Sequence, residues 1–311
     1  MKTYCLKIKP QGSFLTPWQA DTIFGNLCWI MAWREGTDVL KDFLDEYKNG
    51  NPAFVLSDGM PGDLLPVPAH LSLMKQKEEG SAAYQKAKEL KKIAWLTPES
   101  FDSVRRGNLE IELTEKNKPL REFTTLHSSI NRMTGTTGEE GSLFELEEYI
   151  LEEMYQTINI YLRIRDGWEE KVFSLFKDLS LTGYGKRKSI GKGAFEIISQ
   201  LEPFDGFNNF DDANGFMTLS NFVPAKHDPT DGFYKTMVKY GKLGGEFTFC
   251  GSPFKKPLMM LTAGSSFIVQ GNVKPFYGRM IEGIAPAMPE VVHYGYAFAI
   301  PIIINIRTYA K

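Results

Sequence analysis

The stretch Leu181–Phe195 reads LTGYGKRKSIGKGAF, and it joins an apolar helical pattern before it to a strand-like pattern after it. Its glycines and basic residues follow one another without an acidic residue; they are Gly183, Gly185, Gly191 and Gly193, with Lys186, Arg187, Lys188 and Lys192. Glycine allows the backbone to turn sharply and to bring its N–H groups close to a large anion. Basic side chains attract the same anion. The stretch therefore predicts a phosphate-binding turn, with a solvated β-turn as the alternative.

Two nucleotide-cofactor motifs fail within this stretch on specific positions. A P-loop needs Ser or Thr after its Gly-Lys pair and a glycine five residues earlier, but Gly193 follows Lys192 and position 186 is lysine. A dinucleotide fingerprint needs a third glycine where Lys188 stands. The remaining interpretation is that the stretch binds an RNA backbone. Main-chain donors and basic side chains bind its phosphates without reading the base sequence.

The composition of the 311-residue chain bounds its class, with 42% hydrophobic residues, 24% charged residues and a net charge of −2. This length favours two domains, and the near-neutral charge confines any polyanion site to a local basic patch. Three separated cysteines without a CxxC pair argue for a reducing cytoplasm and against a disulfide framework or a cysteine zinc site. Four scattered histidines predict no metal ion, and no cofactor is expected. We also expect no signal peptide and no membrane partner, hence a cytoplasmic protein.

Before the turn, the sequence predicts strands at Thr3–Ile8, Phe54–Ser57, Asn108–Thr114 and Thr157–Ile164, helices after caps at Thr16 and Thr37, and a helix at Glu169–Leu179. For the first helix, Pro17 suits the first turn and Gln19 completes a capping box with Thr16. The stretch Lys75–Leu96 is rich in Lys, Glu, Gln and Ala, which predicts a solvated helix or an insertion. Strand–helix and strand–helix–turn–strand units indicate an α+β sandwich of the ferredoxin-like type.

After the turn, the composition shifts at the acidic and asparagine-rich stretch Asp205–Gly215. Strand candidates then follow at Phe216–Val223, Gly245–Phe249, Leu258–Thr262, Ser266–Val273 and Tyr296–Ile306. We therefore predict an N-terminal domain over 1–202 and a β-rich domain over 203–311. The second domain carries another glycine- and lysine-bearing stretch at Lys239–Gly245.

The stretch Thr124–Gly141 is polar and rich in threonine and glycine, which predicts a long loop of the kind that is often functional. It contains His127, followed by Ser128, Ser129, Asn131 and Arg132. A histidine is the usual acid–base group near neutral pH, so His127 could serve a metal-independent nuclease. Such a nuclease needs a partner base or a second cation, and none is identifiable in the sequence. The alternative is a histidine that contacts RNA or holds structure, in a loop that clamps a single strand.

The chain resembles the RAMP-superfamily proteins, in the group of the fifth Cas protein, that form the fourth subunit of the type III-A CRISPR Csm effector complex. The matching stretches are spread along nearly the whole chain; they are Gly12–Phe14, Ala20–Gly25, Phe54–Ser57, Leu65–Pro68, His127–Arg132, the glycine-rich Thr182–Phe195 and His293–Phe298. The stretch Lys75–Leu96 has no counterpart in this match.

This resemblance implies an α+β fold of two ferredoxin-like (RRM-type) domains with long insertions and a glycine-rich loop. It implies a non-catalytic subunit of antiviral defence that holds the repeat-derived 5′ handle of the crRNA. Its protein partners would be the large cyclase-polymerase subunit and the third Csm subunit, which forms the backbone filament. The implied RNA-binding residues are Gly183, Gly185, Lys186, Arg187, Lys188, Ser189, Gly191, Lys192 and Gly193, with His127, Ser129, Asn131, Arg132, Gln19 and Thr22.

Two alternatives stay open beside this interpretation. A related branch of the superfamily cuts guide-RNA precursors, so the chain could be a metal-independent endoribonuclease that uses His127. It could also be a protein–protein adaptor that joins its partners equally well without RNA.

Overall fold

The computed structural model of the chain describes residues 1–73, 88, 92–108, 117–137, 143–249, 252–286 and 288–305. The helices with described bounds are α1 (Ala20–Glu35), α2 (Thr37–Lys48), α3 (Ala69–Leu73), α4 (Pro98–Arg105) and α5 (Glu169–Thr182). The first nine strands are β1 (Lys2–Pro10), β2 (Phe54–Pro61), β3 (Leu65–Pro66), β4 (Trp95–Leu96), β5 (Leu120–Ser128), β6 (Leu143–Leu151), β7 (Ile158–Ile164), β8 (Phe195–Ile197) and β9 (Glu202–Pro203). The remaining strands are β10 (Gly215–Thr218), β11 (Gly232–Phe233), β12 (Thr236–Lys239), β13 (Leu258–Leu261), β14 (Ser266–Ile268), β15 (Phe276–Gly278) and β16 (Tyr296–Ile302).

The first sheet has the order β2-β7-β1-β8, and β9 pairs with β1. All of its strands pair antiparallel, and β1 and β7 bring buried residues face to face, such as Leu6 opposite Ile160. Helix α1 packs against α5 and β2, and α5 packs against β8. Along the chain the elements therefore run strand, helices, strand, strand, helix, strand, and the glycine-rich turn connects α5 to β8.

The second sheet has the order β11-β14-β10-β16-β15 and is also antiparallel. Its interior strands β10 and β16 are buried along their whole length. The largest cluster of buried side chains draws on both sheets, with Leu6 and Ile160 from the first and Phe298 and Ile300 from the second. Three further pairs, β3-β4, β5-β6 and β12-β13, form two-stranded sheets. The fold is thus mixed α/β with several antiparallel sheets and few helices.

Most elements of the first sheet confirm their predictions. The predicted strands Thr3–Ile8, Phe54–Ser57 and Thr157–Ile164 correspond to β1, β2 and β7, and the predicted helix Glu169–Leu179 is α5. The predicted strand Asn108–Thr114 lies outside the described residues apart from Asn108, which is in no strand. Most of Lys75–Leu96 also lies outside them, and its end forms β4.

Three local predictions are wrong. Helix α1 begins at Ala20, with Gln19 rather than Thr16 at the N-cap and no side-chain cap, and Gly36 rather than Thr37 is the N-cap of α2. The Thr16 hydroxyl instead accepts a hydrogen bond from Lys186 N at 3.1 Å. The stretch Gly245–Phe249 is a 3₁₀-helix and not a strand.

The long loop predicted at Thr124–Gly141 is wrong over 124–128, while 129–137 lie outside the helices and strands as predicted. Its first residues belong to β5, which pairs over nine residues with β6. The half-buried side of β5 carries the polar Thr125 and His127 as well as Phe123, while Leu126 is exposed, so the strand lacks the alternation of apolar and polar residues that marks a half-buried strand. Among the described helices, none is long and apolar enough to cross a membrane.

Candidate nucleic-acid interface

The glycine-rich turn, residues 183–193 between α5 and β8, has the backbone that its glycines predict. Gly183, Gly185, Gly191 and Gly193 all have positive φ, at 74°, 78°, 82° and 69°. Arg187 has a φ of 61°, and it is the only non-glycine residue with positive φ in the described part of the chain. Because residues with a Cβ rarely adopt this region, the turn can follow this path only with glycine at most of these points.

The base of the turn is fixed to the segment between β1 and α1. Tyr184 N donates to Gly193 O at 2.9 Å and closes the turn, while Gly193 N donates to Ser13 O at 3.1 Å. The Tyr184 ring is buried and stacks on Trp18, with the ring centroids 3.9 Å apart. The exposed part of the turn therefore rests on a rigid base.

The basic side chains of the turn divide into two groups. Lys186 and Arg187 are exposed, as is Ser189, and Lys188 is half-buried. Burial lowers the pKa of Lys188. Among the described residues, no ion pair engages Lys186, Arg187 or Lys188. These three cations are therefore the ones positioned for an external anion.

Lys192 differs, because its ammonium group is already paired. Its Nζ lies 2.6 Å from the Glu148 carboxylate and donates to Ser13 Oγ at 2.8 Å. Glu148 extends from β6, its side chain has no solvent exposure, and Thr125 Oγ1 donates to it at 2.6 Å. Burial alone would raise the pKa of Glu148, but the hydrogen bonds from Lys192, Ser13 and Thr125 lower it to about 2. Lys192 therefore joins the β5–β6 hairpin to the turn.

His127 lies in β5, on the same side of the hairpin as Glu148. Its Nε2 is 2.9 Å from Thr125 Oγ1 and 3.8 Å from Glu148 Oε1. Its ring stacks on Phe144 at 5.6 Å, and the Arg187 guanidinium lies 5.2 Å from the Phe144 ring centre. The structure therefore brings His127 next to the glycine-rich turn, and it supplies the neighbouring carboxylate that the sequence did not identify.

The other predicted residues of this hairpin lie beyond the strand. Ser129, Asn131 and Arg132 are exposed, at its described tip. Asn131 Oδ1 accepts a hydrogen bond from Met133 N at 2.9 Å, which shapes the tip. The assignment of nucleotide contacts to these residues stays a prediction.

Gln19 and Thr22, which the resemblance implies bind RNA, both contact Lys239 of β12. Lys239 Nζ donates to Gln19 Oε1 at 2.5 Å and to Thr22 Oγ1 at 3.1 Å, and it lies 2.9 Å from Asp21 Oδ2. Burial disfavours the charge on Asp21, but His293 and Lys239 hold the pKa of this carboxyl below its ordinary value. The start of α1 is thus a junction between the glycine-rich turn and the second glycine- and lysine-bearing stretch.

Sequence reasoning missed Glu148 and the inward role of Lys239. Glu148 stands beside Glu147 in a strand with several acids, and only its position on the side of the hairpin that faces the turn distinguishes it. That alternation was a usable signal, but it required the strand to be recognised first. The described residues contain no group of three or more His, Cys, Asp or Glu arranged to hold a metal ion.

Comparison with known proteins places these features in a family context. No protein-family model matches the chain. A curated protein of Thermococcus onnurineus (strain NA1), CRISPR system Cms protein Csm4, is 24% identical over 311 residues, which cover 97% of this chain and 97% of that protein.

Solved structures share the fold over the same extent. A chain of the crystal structure of the Csm1-Csm4 cassette in complex with AMPPNP matches with a TM-score of 0.65 and 17% identity, covering 98% of this chain and 99% of that chain. A chain of the Csm3-Csm4 subcomplex of the type III-A CRISPR-Cas interference complex matches with a TM-score of 0.64 and 15% identity, covering 98% and 100%. The resemblance to the fourth Csm subunit that the sequence predicts is confirmed.

Proposed function

We propose that this chain is the Csm4-type subunit of a type III-A CRISPR effector, and that it binds the 5′ handle of the crRNA without catalysing a reaction. Its similarity to Csm4 along nearly the whole of both chains supports the family assignment. The element order of the first sheet also supports a ferredoxin-like first domain over 1–202, since strand, helix, strand, strand, helix, strand is the split βαβ arrangement. The second domain, over 203–311, would be a ferredoxin-like unit of β-rich type.

One observation carries the RNA-binding proposal, namely the geometry of the glycine-rich turn. Its base is closed by the bond between Tyr184 and Gly193, while Lys186, Arg187 and Lys188 have no ionic partner among the described residues. A fixed loop with unpaired cations binds phosphates with little ordering cost, because the binding geometry exists before the ligand arrives. The same contacts carry no sequence information, which suits a subunit that holds a guide by its backbone.

The protein partners follow from the solved relatives. Chains of similar fold occur in structures of Csm4 with Csm1 and of Csm4 with Csm3. We infer that this chain binds the large cyclase-polymerase subunit and the backbone subunit in the same way, and that it joins one to the other.

The test is the affinity of the purified chain for single-stranded RNA that carries the repeat-derived handle. Alanine at Lys186, Arg187 and Lys188 together should weaken binding and flatten its salt dependence, by about 2 in the slope of log K against log salt if each cation meets one phosphate. A matched variant with alanine at the exposed Lys118 and Lys226, away from the turn, should bind like the wild type. Unchanged affinity and unchanged slope in the triple variant would refute the proposed site.

The endoribonuclease alternative keeps one supporting observation. His127 has a carboxylate, Glu148, at 3.8 Å and a cation, Lys192, on that same carboxylate. A nuclease of this kind requires the isolated chain to cut repeat RNA and requires His127→Ala to abolish the cut. The proposed binding function expects no cleavage of repeat RNA by the wild type, so that His127→Ala can change only the affinity for RNA.

A further inference from the structure

A second two-stranded sheet lies beside the glycine-rich turn, and we call it the lysine hairpin. It consists of β12, β13 and the residues 240–243 and 252–257 that extend them. Backbone hydrogen bonds continue the pairing beyond the strands, from Leu243 N to Pro253 O at 2.8 Å and from Lys255 N to Gly241 O at 2.9 Å. The hairpin is therefore longer than its two strands, and it presents a continuous surface.

The two faces of the lysine hairpin differ. Its inner face carries Met237, Lys239 and the buried Met260, and it packs on the start of α1 and on Asn221. Its outer face exposes large side chains to solvent; they are Val238 (51%), Tyr240 (78%), Phe254 (65%) and Met259 (67%). Val238 and Met259 are cross-strand partners, and Lys242 pairs with Phe254 with its Nζ 5.9 Å from the ring centre. The outer face is thus an aromatic and apolar surface with a cation on it.

The charge of this hairpin has one sign. The residues of the hairpin, 236–243 and 252–261, include four lysines and no acidic residue. Two of the lysines turn inward, Lys239 to Asp21 and Lys255 to the Val292 carbonyl, while Lys242 and Lys256 are exposed. The β5–β6 hairpin, which contacts the turn through Lys192, differs in charge, since its strands carry four glutamates and one arginine. A polyanion that crosses the turn therefore meets a favourable field on the side of the lysine hairpin.

Gln19, at the start of α1, connects the lysine hairpin to the turn. Tyr184 OH, at the base of the turn, donates to Pro17 O at 2.7 Å and accepts from Gln19 N at 3.3 Å. The Gln19 side chain in turn contacts Met237 and Lys239 of β12. The two glycine- and lysine-bearing stretches are thus held together through one residue at the start of α1.

We propose that the outer face of the lysine hairpin is a second binding surface for single-stranded RNA, which continues the path of the strand from the glycine-rich turn. Exposed aromatic rings beside lysines are the combination that binds single strands, by stacking on bases while cations neutralise phosphates. Tyr240 and Phe254 supply the rings, and Lys242 supplies the cation. This inference rests on the proposed function, because it assumes that RNA already occupies the turn.

The test measures the affinity of the full chain for handle RNA and for a uridine-only strand of the same length, at several salt concentrations. Tyr240→Ala and Phe254→Ala should each weaken binding of both strands about fivefold or more, since stacking does not depend on sequence. Tyr240→Phe keeps the ring and should bind like the wild type. Lys242→Ala should reduce the salt slope by about 0.7. Met154→Ala, at an equally exposed apolar residue outside both proposed binding surfaces, is the control and should change nothing.

Two results overturn the inference and leave the proposed function intact. The first is unchanged RNA affinity in the Tyr240, Phe254 and Lys242 variants while the triple variant of the turn binds weakly. The second is unchanged RNA affinity together with loss of co-purification with the large or the backbone subunit, which would make this face a protein interface. Unchanged affinity in the turn variant as well would overturn both proposals. All three hairpin side chains are exposed, so equal urea unfolding midpoints would show that the variants are folded.

Discussion

Gly193 lies where the surrounding backbone leaves no room for a side chain, and this steric requirement constrains the path of the turn. A Cβ at this position would lie 2.0 Å from the carbonyl oxygen of Tyr184, the residue whose backbone N–H closes the turn. We therefore expect Gly193→Ala to cost about 3 kcal/mol or more, since the backbone must move as well as adopt a left-handed conformation. Urea unfolding of the purified chain measures this loss.

Gly191 provides the matched control for this prediction. Its φ is +82°, but a Cβ there would meet no atom within 4 Å. Gly191→Ala should therefore cost only the left-handed strain, about 1–2 kcal/mol. Equal losses in the two variants would show that the contact with Tyr184 does not restrain the turn.

The ion pair between Lys192 and Glu148 is the second residue-scale prediction. Lys192→Met would leave a buried carboxylate without its cation, and breaking a buried pair in this way costs about 3–5 kcal/mol. Because the Lys192 side chain is 24% exposed, we expect about 2 kcal/mol here. The double variant Lys192→Met with Glu148→Gln should recover most of this loss, and failure to recover it would contradict the assignment.

The same pair predicts a dependence on pH. The pKa of Glu148 is about 2 in the folded chain, below its ordinary value of 4.5. A lowered pKa stabilises the fold above pH 4.5, and this stabilisation is lost as the pH falls from 4.5 toward 2. Unfolding free energies measured across this range should fall less steeply for Glu148→Gln than for the wild type.

At the scale of elements, the N-terminus of α1 is capped by a residue of β2 and not by a residue next to it in the sequence. No side chain near the helix start caps it, and Asp58 Oδ1 from β2 accepts the hydrogen bond of Ala20 N at 2.8 Å. Burial raises the pKa of Asp58 to about 7. The hydrogen bond from Ala20 N lowers this pKa, while the neighbouring Asp21 carboxylate raises it. Helix α1 therefore begins where a tertiary contact fixes it.

This cap gives a prediction with a definite sign. From pH 3.8, the ordinary pKa of Asp58, up to about 7, the folded chain retains a proton that the unfolded chain has released, so stability falls as the pH rises. Asp58→Asn keeps the acceptor oxygen and cannot ionise, so its Tm should exceed that of the wild type at pH 8 and match it near pH 4. Asp58→Ala loses the acceptor oxygen as well as the charge, so it should be about 1 kcal/mol less stable than Asp58→Asn at both pH values. Parallel pH curves for the wild type and Asp58→Asn would contradict this account.

The elements also show where sequence reasoning succeeds and fails. Strands β1 and β7 and helix α5 were predictable because their apolar spacing matches burial on one sheet or one face. The glycine-rich turn was predictable because only glycine serves at its positive φ values. The β5–β6 hairpin was not, since polar Thr125 and His127 share its half-buried side while Leu126 faces solvent, and neither was the cap by Asp58, which lies 38 residues from Ala20 in the chain. The partners of Lys192 and Lys239 could not be predicted either, because each lysine pairs with a residue that is distant in the sequence.

At the scale of the whole molecule, one buried arginine connects the two sheets. Arg163 in β7 donates hydrogen bonds to the carbonyls of Pro275 and Ala299, and its guanidinium lies 4.5 Å from the Phe298 ring centre. Burial lowers the pKa of Arg163 to about 10, so the group stays charged near neutral pH. The contacts of Arg163 and the shared cluster of buried side chains therefore pack the two sheets against each other.

The two sheets should therefore unfold together, although the chain crosses from one proposed domain to the other between them. Native-state hydrogen exchange tests this, with the amides of Leu162 in β7 and Ala299 in β16 as reporters, because amides released by one global opening share one free energy. Arg163→Met should lower both free energies by the same amount, about 2 kcal/mol or more, since it leaves buried carbonyls without their donor. Arg165→Met, which removes the partly exposed pair with Glu46, is the control and should cost no more than about 1 kcal/mol. If Arg163→Met lowered the value for Ala299 alone, the second sheet would open independently, and a rigid path for RNA from the turn to the lysine hairpin would lose its basis.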